Sequence, residues 1–236
     1  MHDKTGTSSQ RPLVVSVHLP KTAGTSFAES LRQVYGERLH LAYEERPLHR
    51  RPMIRQARAL GQGAVHALRG LSDDRIECVH GHFLPVSYKK VKARRKPTFV
   101  TWLRDPVARL QSHYRYWVQS YNADTAGSLH HRVVQENWSF ERFALAPEMR
   151  NLYSAFLWRF PPSAFDFIGI TEHYAEDLRM LESAVFKVPL KEAHSNVTRR
   201  ASGSQVDVSP ALRRKLEAFH SNDIALYEWA LKRRQR

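Results

Sequence analysis

At 236 residues, with 42% hydrophobic and 11% aromatic residues, the chain can bury one sizeable core, which excludes general intrinsic disorder. Lys and Arg number 37 against 23 Asp and Glu; the formal net charge of +14 suits a phosphorylated donor, a polyanionic glycan or a nucleic acid without choosing between them. A single cysteine forbids an intramolecular disulfide, no stretch approaches the roughly 20 apolar residues needed to span a bilayer, and Met1 to Gln10 lacks the apolar core of a secretory signal. The expectation is one domain over 1–236, cytoplasmic and of bacterial type, with 1–10 disordered.

In chain order, the β-branched run Leu13-Val-Val-Ser-Val17 predicts a buried strand over 13–18. A turn, His18-Leu-Pro-Lys-Thr-Ala-Gly-Thr-Ser26, leads into a helix over 25–35, where Phe27, Leu31 and Val34 recur at helical spacing and Gly36 offers a stop. A basic helical region over 48–69 gathers Arg50, Arg51, Arg55 and Arg58, as a solvated face or as the lining of an acceptor groove. Strands follow over 76–80 and 98–103, then a helix over 106–119 with Pro106 in its first turn. The Asn, Asp, Thr, Gly and Ser of 121–129 predict a loop or mobile lid. Helical segments over 139–146 and 148–158 precede a strand over 166–170 and a helix over 174–181. Ser209-Pro210 opens a helix to Phe219, and Ser221-Asn-Asp223 starts a last one carrying Ile224, Tyr227 and Leu231. Strands alternating with helices predict an α/β chain with a P-loop-like three-layer fold: a central, mainly parallel sheet flanked by helices.

Three motifs carry chemistry. The first, Pro20-Lys21-Thr22-Ala23-Gly24-Thr25-Ser26, lies between a strand and a helix N-terminus. Backbone N–H groups and the positive end of the helix dipole favour an anion there. Gly24 removes a side chain, Thr25 and Ser26 add hydroxyls, and Lys21 adds a full charge. Lysine precedes the glycine by three residues, whereas a nucleotide-triphosphate loop ends in Gly-Lys-[Ser/Thr]; a plain capping turn is the competing reading. The second motif, Arg104-Asp-Pro-Val-Ala-Arg-Leu-Gln-Ser112, starts at the carboxyl end of a strand, the edge where open α/β sheets gather ligands. Its alternative is that Arg104 and Asp105 merely pair with neighbours and cap the helix. In the third, Cys78-Val-His80-Gly-His82, residues i and i+2 of an extended segment project together, and Gly81 leaves room beside them. That pair also fits zinc or two ordinary histidines, but no cluster elsewhere completes a metal site.

The first two motifs resemble those of sulfotransferases that use 3′-phosphoadenosine-5′-phosphosulfate (PAPS). The resemblance runs from about Leu13 to Thr198. It implies that the 20–26 loop holds the 5′-phosphosulfate and that Arg104 and Ser112 hold the 3′-phosphate, a planar guanidinium and a hydroxyl sharing its oxygens. His80-Gly-His82 resembles the branch that sulfates uronic-acid hydroxyls, heparan sulfate 2-O-sulfotransferase being its type member; there the histidines serve as base and close partner. The basic loop His194-Ser-Asn-Val-Thr-Arg-Arg200 falls where relatives close over the nucleotide, and the resemblance implies Arg199, or Arg200, as a further donor contact; a solvated charged loop is the competing reading. The implied reaction is in-line transfer to a hydroxyl, on a glycan or other sugar-containing acceptor, with Lys21, His80 and His82 catalytic and no metal required. A P-loop phosphotransferase using ATP and a non-catalytic polyanion-binding module are the alternatives; for the sulfotransferase, no nucleic-acid partner and no membrane span are expected.

Overall fold

A computed structural model of the chain describes residues 13–45, 47, 50–92, 96–191 and 207–235. The sequence expectations for 1–10 and for His194 to Arg200 lie outside these residues. Five strands, β1 (Val14–Val17), β2 (Leu39–Ala42), β3 (Cys78–Gly81), β4 (Thr98–Leu103) and β5 (Phe167–Ile170), form one sheet in the order β2-β3-β1-β4-β5. Every pairing is parallel. Nine helices accompany them among the described residues: α1 (Gly24–Tyr35), α2 (Pro52–Arg69), α3 (Pro106–Gln119), α4 (Ser128–Gln135), α5 (Phe140–Ala144), α6 (Leu152–Phe156), α7 (Tyr174–Leu181), α8 (Pro210–Phe219) and α9 (Ser221–Arg234).

Strand alternation sorts the core into two layers. Val15, Val17, Val79, Phe99 and Leu103 face Tyr153 and Phe156 of α6 and Leu226 of α9. Val14, Cys78, Val100 and Trp102 face Phe27 and Leu31 of α1 and Leu178 and Leu181 of α7. The layers are thus helices, sheet and helices, the expected three-layer, P-loop-like α/β arrangement. A third cluster packs Val107 and Leu110 of α3 against Val133, Phe140, Phe143 and Leu216. The lone cysteine, Cys78, is fully buried in β3, and burial pushes its thiol pKa well up.

Two elements differ from expectation. β2 has no counterpart in the sequence reading: Leu39-His-Leu-Ala42 is only four residues long, without a β-branched residue, and its strand character comes from pairing with β3. The segment over 121–129, read as a loop or mobile lid, is loop as far as Gly127 and is tied down. Tyr121 Oη bonds His131 Nδ1 at 2.7 Å and accepts from Gln135 at 3.0 Å, both on α4, which begins inside the expected loop. Among the described residues no helix is long and apolar enough to cross a membrane.

Candidate active site

β1 is flanked by β3 and β4, so the chain leaves its carboxyl end where successive connections run to opposite sides, the usual ligand crevice of such sheets. The turn that leaves it, 18–23, is strained: Lys21 (φ 68°) and Ala23 (φ 65°) both occupy the left-handed region that non-glycine residues avoid at a cost of about 1–3 kcal/mol each. Alternating left- and right-handed residues aim successive N–H groups into one concavity, a geometry that receives anions. Thr22 is buried, and its hydroxyl donates to the Leu19 carbonyl at 2.8 Å, so its side chain braces the turn rather than facing a ligand. Ala23 is the N-cap of α1, and among the described residues no side chain caps it, which leaves the first-turn amides without side-chain acceptors there. Thr25 is exposed and Ser26 half-buried on that first turn, while Pro20 is buried behind it.

Lys21 is surrounded by charge of its own sign. Burial first, then the charges of Arg104 and Arg115, lowers its pKa to about 8. Its ammonium lies 3.8 Å from the centre of the Tyr116 ring, a cation–π contact that fixes its direction. The Arg104 guanidinium reaches the Lys21 carbonyl at 3.5 Å, so the strand end of β4 and the turn after β1 share one space. The backbone of Arg104 is clamped by Tyr153, whose hydroxyl accepts from Arg104 N–H at 3.1 Å and donates to its carbonyl at 2.7 Å. Tyr153 is itself anchored: its N–H donates to buried Asp223 of α9 at 3.0 Å. Ser112 is half-buried on α3 and is not hydrogen-bonded to Arg104 or to the turn among the described residues. Arg199 lies outside the described residues.

The histidines form a stack of three, not a pair. His18 sits in the middle, 5.2 Å from His80 with nearly parallel rings and 4.3 Å from His82. The order follows from register: Ser16 pairs with His80 across β1 and β3, and His18 and His82 continue on the same face. His80 is fully buried and bonds Ser16 Oγ through Nδ1 at 2.8 Å. Among the described residues its Nε2 has no partner within hydrogen-bond geometry, although the Gly24 backbone stands near enough to favour the protonated ring. Burial, and then His82, nevertheless lowers the His80 pKa to about 3. Burial also holds His18 well below the usual imidazole range, with His82, His80 and Lys21 adding to the effect.

His82, by contrast, is only half-buried. Its Nδ1 lies 2.6 Å from the His18 carbonyl oxygen. A carbonyl can only accept, so Nδ1 carries a proton, and in the neutral ring the lone pair is then on Nε2. Tyr43, at the end of β2, stands edge-on to all three rings and bonds His18 Nδ1 at 3.0 Å. Burial raises its pKa to about 12.

Both glycines make room for neighbouring protein groups. A Cβ at Gly24 would lie 2.0 Å from the His18 imidazole, so the missing side chain accommodates that ring. A Cβ at Gly81 would lie 2.0 Å from the Ala42 carbonyl oxygen, so Gly81 makes room for β2 and not for space beside the histidines. The Arg104-Asp105 alternative holds in part: Asp105 does cap α3, accepting from Ala108 N–H at 2.8 Å, and pairs with Arg213 at 2.8 Å. Arg104 itself is directed elsewhere. Among the described residues no group of three or more His, Cys, Asp or Glu is arranged to hold a metal ion. On α3, Trp117 stacks on His130 at 4.8 Å and packs against Phe143.

Fold and site together define a doubly wound, P-loop-like α/β protein with two cation-bearing turns and a histidine stack at the carboxyl edge of its sheet. No family model matches the chain, and no curated protein matches it by sequence. Among solved structures it is similar to a sulfotransferase from Alicyclobacillus acidocaldarius, at 14% identity over 93% of this chain and 95% of that one, with a TM-score of 0.47.

Proposed function

We propose that the chain is a PAPS-dependent sulfotransferase that moves a sulfuryl group onto an acceptor hydroxyl, with carbohydrates as the acceptor class. The observation that carries this reading is the 3.5 Å approach of the Arg104 guanidinium to the Lys21 carbonyl, which unites two anion-seeking motifs 83 residues apart. The uncapped first turn of α1 and the left-handed Lys21 and Ala23 fit a 5′-phosphosulfate, with Thr25 and Ser26 as hydroxyl donors. Arg104, with Ser112 on the following helix, takes the 3′-phosphate, and Arg199 retains its sequence-based role as a further donor contact.

The donor, when bound, supplies a sulfur activated by a phosphate leaving group. His82 is the base, because its Nδ1–H is committed to the His18 carbonyl and Nε2 carries the lone pair. As the acceptor oxygen bonds sulfur, its proton passes to Nε2. The bond from sulfur to the phosphate oxygen breaks, and Lys21 neutralises the charge that grows on that oxygen. His80 is too deeply buried to meet an acceptor; it supports the stack from below with Ser16.

The test is incubation with radiolabelled PAPS and a panel of glycans and small alcohols. Label should enter an acceptor with the wild type and not with Lys21→Ala. A thermal shift with adenosine 3′,5′-bisphosphate should exceed that with ATP and magnesium; no incorporation together with the reverse ranking would overturn the reading.

A further inference from the structure

Helix α2 is amphipathic in the reverse sense from a core helix. At 100° per residue, Met53, Ala57, Leu60, Ala64 and Leu68 fall on one stripe, broadened by Ile54 and Val65. That stripe points to solvent: Met53 is 82% and Leu68 75% exposed, and Ile54, Leu60 and Val65 are exposed as well. The opposite side packs inward, where His66 Nδ1 donates to the Ser87 carbonyl at 2.8 Å and Ala59 is the one buried residue of the helix. Contiguous exposed apolar surface of this kind marks an interaction site.

Charge identifies the occupant. From Arg46 to Ser72 the sequence holds no acidic residue. Arg58 and Arg69, both exposed, border the stripe along its Val65 edge, and Lys89 and Lys90 stand exposed just beyond the 85–87 turn against which α2 packs. Glu45, just before α2, bonds Gln62 and lies within electrostatic reach of Arg58, but α2 itself carries no carboxylate, so a second copy pairing along the stripe would bring the arginines together with none from either helix to answer them. An anionic lipid surface answers both features: acyl chains take the stripe, and headgroup phosphates take the arginines, whose apolar stems lie along the boundary. At 18 residues, about 27 Å, α2 is long enough to lie in that interface.

We propose that α2 is a docking surface for anionic lipid bilayers, placing its outward stripe in the headgroup region with Arg58 and Arg69 at the phosphate level. The proposal is independent of the chemistry assigned to the site. Through the 85–87 turn, which follows His82 closely in the chain, docking would hold the candidate active site near the lipid surface.

The test is co-sedimentation of the whole protein with phosphatidylcholine vesicles, with and without phosphatidylglycerol. Wild type should sediment with the anionic vesicles only. Met53→Ser/Leu68→Ser, which leaves the net charge unchanged, should weaken partitioning by about tenfold or more without lowering the melting temperature. Arg58→Gln/Arg69→Gln should weaken it by a similar factor and flatten its salt dependence. Absence of binding to anionic vesicles would overturn the proposal. So would equal binding by the serine variant, which would reduce the effect to the overall +14 charge. A dimer seen by light scattering and abolished in the serine variant would assign the stripe to a second copy instead.

Discussion

The N-termini of α1 and α3 follow neighbouring strands, β1 and β4, and open at the same sheet edge, yet they are built in opposite ways. α3 begins with Asp105, whose carboxylate occupies the Ala108 amide and pairs with Arg213, and with Pro106, which has no amide to satisfy. α1 begins on a left-handed Ala23 with no side-chain cap, beside a lysine that burial and two arginines hold at a pKa of about 8. One terminus has answered its own dipole; the other leaves amides and a cation for something else. The self-contained terminus also does a service for the open one, because it fixes the strand end from which Arg104 reaches across to Lys21.

The largest expected effect tests the open terminus. Lys21→Ala should lower turnover about 10²- to 10³-fold while changing affinity for adenosine 3′,5′-bisphosphate much less, as read by steady-state kinetics and calorimetry. In the wild type, kcat/KM should fall as pH rises through about 8, because the lowered pKa makes Lys21 neutral above that point; an alkaline limb only near 10.5 would remove Lys21 from the rate equation.

Next, Arg104→Ala should weaken bisphosphate binding by about 10- to 100-fold, the worth of a charge-assisted contact; unchanged affinity in calorimetry would sever α3 from the donor site. Gly24→Ala should cost about 1–3 kcal/mol in urea unfolding, because its Cβ meets the His18 ring, and His18→Ala in the same chain should recover most of that loss. Failure of the rescue would mean that the His18 ring is not what excludes a side chain at position 24. The smallest effect belongs to the closed terminus. Asp105→Ala should cost about 1 kcal/mol, a melting shift of about 2–4 °C, with bisphosphate affinity nearly intact.

Local patterns made the frame legible. The Leu13 to Val17 and Thr98 to Leu103 runs, the Asp105-Pro106 start of α3 and the Ser209-Pro210 start of α8 each carry their own signal within a few residues. β2 carries none. Its four residues become a strand only by pairing, and with it went Tyr43, the ring that touches all three histidines. His18 was in plain view within the turn, but its place between His80 and His82 depends on a register between segments 64 residues apart. Tyr153 looks like any core tyrosine in sequence. Only the structure shows its hydroxyl gripping both backbone groups of Arg104.

Cys78 lies two residues before His80 on the strand joining β2 to the rest of the sheet, with its sulfur sealed from solvent. A maleimide can reach it only when that strand swings out, so the labelling rate becomes a clock for opening of the layer beneath the histidines. Any molecule that grips the neighbouring turn should slow that clock, which turns a single native thiol into a ligand sensor requiring no engineered probe.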